Sequence, residues 1–481
     1  DRAGWGILGL ITNRGYLSGP TFRGMRCFIW QKSLILHILD LHGGALQEER
    51  EPPPGITDKN VFDIKQGVAI SISALMSQPT VEAKKTYADF WGDRALKYAL
   101  LEKGPILDID SINLAAASPR YDFVPSSSVE LDKEYSEYVP INDLFPTGST
   151  GIQTSRDSYV VDFDKSVLVK RFIEFCDTSY PDDFYRDKYG LNDGRNWSLA
   201  SARHGLQTDS DWKDKIVTCQ FRPLDFRWML YHSSVINWPR PEVMPHMLRQ
   251  NISLIIPRNY QGGQFDAALV SRFISEVKTG ESTRGSYCYP LYLYDGDGLV
   301  HPEDDSPRPN LNMSIVAQLA KRLDLKFSPS GQGDLNSGFG PEAFLQFVYA
   351  ILYSPNYRKR YSNLIKNGFA RLPLTPKRGL FCLLVQLGSD LIALHLLESP
   401  KVDNHISAVT GSGEFSVEKP SYSNNTVWLD RAKTRGFQNV PSNVWDFRIG
   451  GYQVCDKWLK DRGPKKGDPG RILIEEDIAH Y

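Results

Sequence analysis

The amino-acid sequence predicts an α/β unit followed by a larger domain of mixed α+β structure. Residues 6–75 alternate between short apolar strands and one helical segment. From about residue 140 onward, the segments are shorter and richer in glycine, proline and aromatic residues. The length of 481 residues allows two or three domains, and 41% hydrophobic with 12% aromatic residues is typical of a globular protein.

The first unit is predicted to contain a strand, a helix and two further strands, in that order. The strands are GILGLIT (6–12), LILHILDL (34–41) and the alternating segment 67–75, and the helix lies within 20–33. A polar loop with three consecutive prolines (42–60) joins the last two strands, so we expect them to be antiparallel. This order is typical of the far edge of an α/β sheet, and we expect its first strands upstream of this chain.

The domain boundaries follow from changes in composition. Residues 77–102 are predicted to form an amphipathic helix. We assign 1–105 to the first unit, 106–140 to a linker and 141–481 to the second domain. A polar stretch near 295–310 is a candidate split of the second domain into a β-rich part and a more helical part.

The second domain is predicted to begin with β structure and to continue with helices. The predicted elements are a glycine-rich turn leading into a strand (148–164), a strand pair or a strand with a turn at Pro223 (219–232), a β segment (287–294), a helix (311–323) and two helices broken at Ser354–Pro355 (340–366).

Composition argues against several classes of protein. A net charge of −1 provides no bulk attraction to nucleic acid, so DNA binding would depend on local clusters of arginine. The six cysteines are far apart and form no CxxC pair, which argues against a zinc site or a disulfide framework and is typical of a reducing cytoplasm. We expect no signal peptide and no membrane-spanning run.

Several catalytic signatures are absent. The sequence contains no GxxxxGK[ST], HExxH or GxSxG pattern, which argues against a P-loop enzyme, a zinc protease and a serine hydrolase. Glycine pairs near 296, 331, 338 and 411 lack a third glycine and a preceding strand, so they are predicted to be turns.

The clearest positive signal is the segment 219–260, in which arginines alternate with aromatic residues. The planar guanidinium group suits phosphate and the guanine edge in the major groove. An alternative interpretation is that these arginines pair with acids elsewhere in a β domain, and that RPLDFR is a local Arg–Asp clamp. The arginines are Arg222, Arg227, Arg240, Arg249 and Arg258, and the acids within the segment are Asp225 and Glu242.

Several long segments are collinear with the motifs of one family. GLITNRGYLSGPTFRGMR (9–26), LDLHGG (39–44) and NVFDIKQGVAISI (60–72) resemble the later motifs of the adenine-specific DNA methyltransferase domain of this family, the type ISP restriction–modification enzymes. The segments that resemble its C-terminal specificity domain are FPTGSTGIQTSRDSYVVDFD, FRPLDFRWMLYH, RPEVMPHMLRQNISLI, YPLYLY, YAILYSPNYRKRYSNLIK, FARLPLT and VWDFRIGGYQVCDKWLKDR.

The resemblance implies a fold, a partner and cofactors. In that family one polypeptide carries a nuclease, an ATP-driven translocase, a methyltransferase and a target-recognition domain. This chain would hold the C-terminal edge of the Rossmann-like methyltransferase sheet, which ends in an antiparallel hairpin, followed by the target-recognition domain. The implied partner is double-stranded DNA in the cytoplasm. The implied cofactor is S-adenosylmethionine, with ATP and Mg²⁺ only where translocase and nuclease domains are attached.

The resemblance also implies that the catalytic residues lie elsewhere. The S-adenosylmethionine loop and the Asn/Asp-Pro-Pro-Tyr/Phe tetrapeptide of the family are expected upstream, and EPPP (51–54) is not a substitute for the tetrapeptide. We therefore expect this chain alone neither to bind the cofactor well nor to methylate DNA.

The resemblance implies a role for Phe62. An adenine methyltransferase flips its target base out of the duplex and holds it by stacking and hydrogen bonds. In related enzymes an aromatic residue just before the corresponding strand stacks on the flipped adenine, and Phe62 occupies the matching place. The alternative is that Phe62 only caps the edge of the sheet.

The resemblance also implies DNA contacts in the second domain. Arginines of the segment 219–260 are expected to contact phosphates, and one or two of them to read bases. The polar residues Gln153, Thr154, Arg156 and Asp157 lie in a glycine-supported loop that could approach the DNA backbone. Arg222 and Arg227 lie in a segment shared with the family, and a structural role is the alternative for them.

Three functions remain open from the sequence. The first is a part of a site-specific DNA adenine methyltransferase with its specificity domain, in a restriction–modification or phage-defence system. The second is a non-catalytic DNA-binding specificity module. The third is a metabolic α/β enzyme unrelated to DNA.

Overall fold

The computed structural model divides the chain into two compact units, Asp1–Ser136 and Glu137–Tyr481. The residues that the structure describes are 4–44, 52–53, 55–77, 83–105, 109–116, 121–125, 129–194, 197–260, 265–294, 307–366, 368–465 and 469–481.

The first unit contains strands and helices in the predicted order over its first part. Its elements are β1 (Trp5–Asn13), α1 (Arg23–Lys32), β2 (Ser33–Asp40), β3 (Val68–Met76), β4 (Lys84–Asp89), α2 (Arg94–Glu102), β5 (Ile112–Asn113) and α3 (Val129–Ser136).

The described strands of the first unit form one sheet in the order β1-β3-β2-β4-β5. Strand β3 is antiparallel to both of its neighbours, β1 and β2, so the prediction of an antiparallel pair across the polar loop is confirmed. Strand β4 is parallel to β2 and antiparallel to β5. Alternating residues of β2 serve two core clusters, with Leu36 and Ile38 in one and Leu39 in the other, so this strand is covered on both faces.

The prediction of a helix over 77–102 is wrong for its first half. Residues Lys84–Asp89 form β4, and only Arg94–Glu102 is helical. Thr86, Tyr87 and Ala88 are consecutively buried, which suits a strand inside a sheet and not one face of an amphipathic helix. The helix begins where Asp93 caps it through a hydrogen bond from the amide of Leu96.

Part of the segment assigned to a linker packs on the first unit. Phe123 is fully buried in the same cluster as Tyr16 and Tyr87, and its amide donates to the carbonyl of Leu17. The buried guanidinium of Arg26 forms an ion pair with Asp122. Residues 106–108, 117–120 and 126–128 of this segment lie outside the described residues. The functional assignment of the domains stays a prediction.

The second unit combines short strands with helices. Its strands are β6 (Val139–Pro140), β7 (Ser149–Thr150), β8 (Val161–Asp162), β9 (Ile216–Arg222), β10 (Asp225–Leu230), β11 (Ser253–Pro257), β12 (Leu269–Ser271), β13 (Ile274–Ser275), β14 (Ser286–Pro290), β15 (Tyr292–Leu293), β16 (Arg308–Pro309), β17 (Lys326–Phe327), β18 (Gly338–Phe339), β19 (Arg371–Leu372), β20 (Ala408–Thr410), β21 (Ser421–Ser423), β22 (Thr426–Trp428), β23 (Gly436–Gln438), β24 (Arg448–Ile449) and β25 (Tyr452–Gln453). Its helices are α4 (Ile141–Leu144), α5 (Asp157–Val160), α6 (Lys165–Cys176), α7 (Asp182–Tyr189), α8 (Leu199–Gln207), α9 (Met313–Leu323), α10 (Pro341–Tyr353), α11 (Pro355–Arg360), α12 (Arg378–His395), α13 (Ser442–Trp445), α14 (Val454–Arg462) and α15 (Glu475–His480).

Two small sheets carry the candidate site. One has the order β13-β9-β10-β8 and the other β12-β11-β14-β7. Both sheets and the helices α6 to α8 share one hydrophobic core, which includes Cys219 of β9, Ile255 of β11 and Phe172 of α6. The predicted strand pair is confirmed as the antiparallel hairpin β9–β10. The segment 148–164 differs from its prediction, because the helical turn α5 separates the short strands β7 and β8.

The helical part agrees with the sequence. Asn312 caps α9 through its side chain, and Pro341 and Pro355 occupy first-turn positions of α10 and α11, so these predicted helices are confirmed. The candidate split at 295–310 falls mainly on residues 295–306, which lie outside the described residues. The observed mixture of helices and several small sheets confirms the predicted mixed fold class.

One described helix, α12, is long and apolar enough to cross a membrane by length and composition. It packs closely on α10, because a Cβ atom at Gly388 would lie 1.8 Å from the carbonyl oxygen of Gln346. Phe381 of α12 and Phe347 of α10 are both fully buried, with ring centroids 5.0 Å apart. These contacts pack one face of α12 against α10, and 22% of the helix residues are buried.

Candidate functional site

The loop before β3 is anchored by the carboxylate of Asp58. This carboxylate accepts hydrogen bonds from the amide of Gly43 at 2.6 Å and from the amide of Gly92 at 3.0 Å. It also accepts from Nζ of Lys97 at 2.6 Å, and the Lys97 side chain is fully buried. One carboxylate therefore ties three segments of the first unit to the loop.

Gly43 makes a close approach that no other residue could make. Its φ is +81°, and a Cβ atom there would lie 2.4 Å from the Cα atom of Asn60. The side chain of Asn60 in turn donates to the carbonyls of Ile64 and Gln66 at 3.0 and 2.6 Å. The loop is therefore clamped between the glycine on one side and its own hydrogen bonds on the other.

Phe62 extends from this clamped loop. Its amide donates to Oδ1 of Asn60 at 3.0 Å, and its side chain is 44% exposed. The neighbouring Val61 is 2% exposed and belongs to the core, so the backbone on one side of Phe62 is held in place. An aromatic ring that is partly exposed on an ordered loop is available to stack on a ligand.

A buried polar cluster lies where β2 ends. Asp40 is fully buried and accepts from Arg14 at 2.9 and 2.7 Å and from the hydroxyl of Tyr87 at 3.1 Å. The ring of His42 stacks on Trp91 with centroids 3.4 Å apart. These contacts fix the LDLHGG segment, which carries Gly43 against the Phe62 loop.

In the second unit, the loop 151–157 packs directly on the segment that follows β13. A Cβ atom at Gly151 would lie 2.6 Å from the carbonyl oxygen of Glu276 and 2.8 Å from the Cα atom of Val277, so only glycine fits there. Backbone hydrogen bonds of 2.8 Å join Ile152 to Ser275 and Val277. This contact brings residues far apart in the sequence into one cleft.

Arg156 lies on the wall of this cleft. Its guanidinium lies over the ring of Trp197, 3.6 Å from the centroid, and donates to Oδ1 of Asn237 at 2.9 Å. It also donates to the carbonyls of Thr154 and Val235 at 3.1 and 3.3 Å. Burial lowers the pKa of Arg156 to about 10. All of these partners are neutral, so they orient the guanidinium without neutralising its charge.

The cleft has a volume of about 650 Å³ and a mainly polar lining. It is lined by Gln153, Ser155, Arg156, Asp157, Ser158, Glu276, Val277, Lys278 and Gly285. Thr154 is 1% exposed, and its hydroxyl donates to Asp157 and accepts from the amide of Arg156, so it shapes the loop and does not face solvent. Gln153 is exposed at the cleft.

Arg222 contacts the cleft lining through the carboxylate of Glu276. Its guanidinium forms an ion pair of 2.5 Å with Oε2 of Glu276, which also accepts from the amide of Lys278 at 2.7 Å. Burial raises the pKa of Glu276 to about 7, against the opposing effect of Arg222. Arg222 therefore orients Glu276 in the cleft lining, and the charge of Arg222 is already paired with this carboxylate.

Arg227 lies in a buried ion-pair cluster. It is 8% exposed and contacts Asp225 at 2.6 Å and Asp461 at 2.9 Å, while its guanidinium lies 4.1 Å from the ring centroid of Phe221. The local Arg–Asp clamp in RPLDFR, one of the alternatives from the sequence, is confirmed.

The remaining predicted arginines have different surroundings. Nε of Arg240 donates to the carbonyl of Gly151 at 3.3 Å, at the base of the cleft loop. Arg249 lies 5.0 Å from the ring centroid of Tyr294, and the exposed Arg258 lies 5.9 Å from that of Phe369. Within the described residues, the lining of the cleft includes neither Arg249 nor Arg258.

Sequence reasoning missed several residues of this site. Trp197 and Asn237 hold Arg156, and Glu276 and Lys278 also line the cleft, but nothing in their local sequence marks them. Sequence reasoning also passed over GWGILG at 4–9, which fits the GxGxxG pattern. Because Trp5–Asn13 is a strand and not a turn between a strand and a helix, this pattern is not a dinucleotide-binding loop. The described residues contain no group of three or more His, Cys, Asp or Glu placed to hold a metal ion.

Three solved structures share the fold with nearly the whole chain. The ATP-dependent Type ISP restriction-modification enzyme LlaBIII bound to DNA has a TM-score of 0.69 at 17% identity, over 99% of this chain and 32% of its own. The DrdV–DNA complex has a TM-score of 0.65 at 18% identity, over 96% and 47%. A nuclease-deletion mutant of the Type ISP enzyme LlaGI in complex with a DNA substrate mimic has a TM-score of 0.63 at 19% identity, over 98% and 43%.

The chain spans less than half the length of each of these three proteins, and at this identity the likeness is one of fold. The comparison with curated proteins finds no match. A family model described as the Type ISP C-terminal specificity domain matches residues 143–481, which is most of the chain. The chain therefore belongs to the family of proteins with a Type ISP C-terminal specificity domain.

Proposed function

We propose that the second unit recognises a target in double-stranded DNA, as part of a site-specific adenine methyltransferase of a restriction–modification or phage-defence system. This proposal rests on the surroundings of the Arg156 guanidinium. Within the described residues it has neutral hydrogen-bonding partners and no carboxylate at ion-pair distance, although it lies on the wall of an open, polar cleft. A fixed, unneutralised guanidinium is suited to bind a phosphate.

Other cations around the cleft support the same proposal. Lys278 lines it, and Arg240 contacts the loop that forms one wall. In a protein with a net charge of −1, a nucleic-acid partner requires local positive charge of this kind, and of the two acids that line the cleft, Asp157 and Glu276, the second is already paired with Arg222. The related LlaBIII, DrdV and LlaGI structures were each determined with DNA or a DNA mimic.

The first unit is proposed to be the C-terminal end of the methyltransferase domain. Its support is the strand order β1-β3-β2, with β3 antiparallel between two neighbours, as expected where a doubly wound sheet ends in an antiparallel hairpin. In this proposal Phe62 stacks on the flipped adenine, and the anchors at Asp58 and Gly43 hold the loop so that stacking loses little conformational entropy.

The cofactor does not fit the residues of this chain. S-adenosylmethionine would supply the methyl group in the intact protein, with ATP and Mg²⁺ used where translocase and nuclease domains are attached. This sequence has no Asn-Pro-Pro-Tyr tetrapeptide, and its GxGxxG pattern lies in a strand. We therefore assign to this chain base holding and target binding and no step of methyl transfer. The six free cysteines support a cytoplasmic location.

The methyltransferase proposal is tested by mapping modified adenines in DNA from a methylation-free host that carries the full parent gene. Adenine methylation confined to one short motif is the expected result. An unmodified genome, with the protein expressed and folded, would contradict the enzyme and favour the non-catalytic specificity module.

The DNA-binding proposal is tested by the salt dependence of binding. For the chain, a plot of log affinity against log salt should slope by roughly −0.9 for each phosphate neutralised. Arg156→Ala should make the slope less steep by about one such unit and weaken binding similarly for all sequences. Binding that does not respond to salt would contradict the proposal.

A further inference from the structure

Trp238 is an exposed tryptophan that closely follows two buried residues. Its side chain is 48% exposed, whereas Val235 is fully buried and Ile236 is 2% exposed. An apolar ring of this size in water is unfavourable in the isolated protein, and such rings are enriched at interfaces. Packing in the hydrophobic core therefore does not explain the position of this tryptophan.

Trp238 is paired with Gln153 across an isolated antiparallel bridge. The amide of Gln153 donates to the carbonyl of Trp238 at 3.2 Å, and the amide of Trp238 donates back at 3.0 Å. Residues that are directly opposite in an antiparallel pair place their side chains on the same face. Both side chains are exposed, so the bridge presents an aromatic ring and a carboxamide side by side.

The backbone that carries this pair is held on both sides. The side chain of Asn237 accepts from Arg156 at 2.9 Å and donates to Oγ of Ser155 at 3.1 Å. The hydroxyl of Tyr231 donates to the carbonyl of Pro239 at 2.9 Å. A preorganised contact loses little conformational entropy on binding, so an exposed ring on this segment is suited to recognition.

Cations flank the pair. The guanidinium of Arg240 lies 5.5 Å from the ring centroid of Trp238, and Arg156 binds the residue before it. Gln153 itself lines the cleft that contains Arg156. A neutral ring and an amide therefore lie beside two positively charged groups, and protein–DNA contacts combine base-edge contacts with phosphate contacts in the same way.

We propose that Trp238 and Gln153 form a non-ionic contact with duplex DNA. The ring of Trp238 packs on the apolar part of a nucleotide, the deoxyribose or a thymine methyl, and the amide of Gln153 hydrogen-bonds the adjacent base edge. Arg156 and Arg240 take the neighbouring phosphates. This inference rests on the proposed function and assigns to these two residues a part that does not depend on charge.

The test separates neutral contacts from phosphate contacts. Binding of the full chain to duplex DNA that contains the mapped target is measured over a range of salt concentrations for Trp238→Ala, Trp238→Phe, Gln153→Ala and Arg156→Ala. Tyr180→Ala serves as the matched control, because Tyr180 is an aromatic residue of the same unit that is 39% exposed. Thermal unfolding of each variant shows whether it is folded.

The expected result is a loss of affinity without a change of slope. Trp238→Ala should bind at least about fivefold more weakly, which is about 1 kcal/mol, with the same log–log salt slope, since it removes an interface contact and no charge. Gln153→Ala should show the same weaker binding at an unchanged slope, and Trp238→Phe should lose less affinity than Trp238→Ala. Tyr180→Ala should bind like the parent chain. Arg156→Ala should lose slope.

Each of the following outcomes would overturn the inference or the proposed function on which it rests. Unchanged affinity of Trp238→Ala and Gln153→Ala, while Arg156→Ala loses slope, overturns the contact and leaves the proposed function intact. A fall in slope for Trp238→Ala overturns its non-ionic character. Parent binding that is independent of salt overturns the proposed function itself. If Trp238→Ala does not fold, the DNA affinities of Trp238→Phe and Gln153→Ala test the contact instead. Parent-like affinity of both variants overturns the contact.

Discussion

The carboxylate of Asp225 lies 2.6 Å from the guanidinium of Arg227, two residues further along the chain in the same strand. The side chain of Asp225 is fully buried, and its other oxygen lies 3.1 Å from the guanidinium of Arg462. A single acid thus joins the hairpin β9–β10 to the helix α14, which is far away in the sequence. The motif that drew attention as a possible DNA contact is the centre of a buried ion-pair network.

We expect Asp225→Asn to destabilise the second unit strongly. The change leaves two buried guanidinium groups short of a counter-charge, and breaking a buried pair costs about 3–5 kcal/mol. Chemical denaturation measures the free energy of unfolding. Asp63→Asn is the control, because the Arg94–Asp63 pair is exposed at 41% and 93%, and solvent screens an exposed pair so that its loss costs little stability. Equal losses in both variants would contradict the assignment.

Gly43→Ala should displace the loop that carries Phe62. A Cβ atom would meet the backbone of Asn60 at 2.4 Å, and the positive φ adds strain, so we expect a loss on the order of 2 kcal/mol or more. Gly24→Ala is the control, since nothing lies within 4 Å of a Cβ atom there and the helix should gain up to about 1 kcal/mol. Thermal unfolding compares the two. A stable Gly43→Ala variant would show that the loop is not clamped.

If the proposed methyltransferase is correct, Phe62→Ala should weaken base capture in the parent protein and leave folding unchanged. Loss of stacking should lower kcat/KM for methylation by the equivalent of about 1–3 kcal/mol. Ile64→Ala is the matched control, because Ile64 is 46% exposed in the same loop. If both variants methylate at the parent rate, Phe62 is a residue of the sheet edge and does not hold the base.

His395 should make the helix pair α10–α12 sensitive to acid. Its Nδ1 lies 2.5 Å from the hydroxyl of Tyr349, and burial, followed by the charge of Arg358, lowers its pKa to about 4 from the ordinary 6.5. Because the folded state disfavours the charged imidazole, this contribution to stability is complete above pH 6.5. It is lost as the pH falls through 4, by up to about 3 kcal/mol.

The measurement is the free energy of unfolding between pH 7 and pH 4. His395→Gln keeps a neutral acceptor for Tyr349 and should remove part of the slope in this window, whereas His405→Gln at an exposed histidine should not. Identical pH profiles for the parent chain and His395→Gln would contradict the prediction.

Local signals predicted the regular elements well. Pro341 and Pro355 in first turns, and the helical spacing of apolar residues within 311–323, mark helices because these signals act within a few residues. The apolar alternation of Val68–Met76 marks a strand for the same reason. Strand β4 was missed because KKTYAD is short and its burial comes from neighbouring strands that the local pattern does not contain.

The candidate site was predictable only in part. The loop with Gln153, Thr154 and Arg156 was identified from its glycines and polar residues, and the structure places Gln153 and Arg156 on one cleft. The choice among the arginines was not predictable. Arg227 and Arg156 have the same chemistry, but one faces two carboxylates and the other faces neutral groups.

The order of most elements, the family resemblance and the set of candidate DNA-binding residues could be predicted from the sequence, because they depend on residue types and short spacings. Which of the candidate charges are neutralised and which have no carboxylate partner became evident only from the folded chain. The acid that pairs with Arg222 is Glu276, the ring that supports Arg156 is Trp197, and the strand partner of Gln153 is Trp238. The physical reason is that pairing and burial depend on distances in space, and packing brings together residues that lie tens of positions apart along the chain.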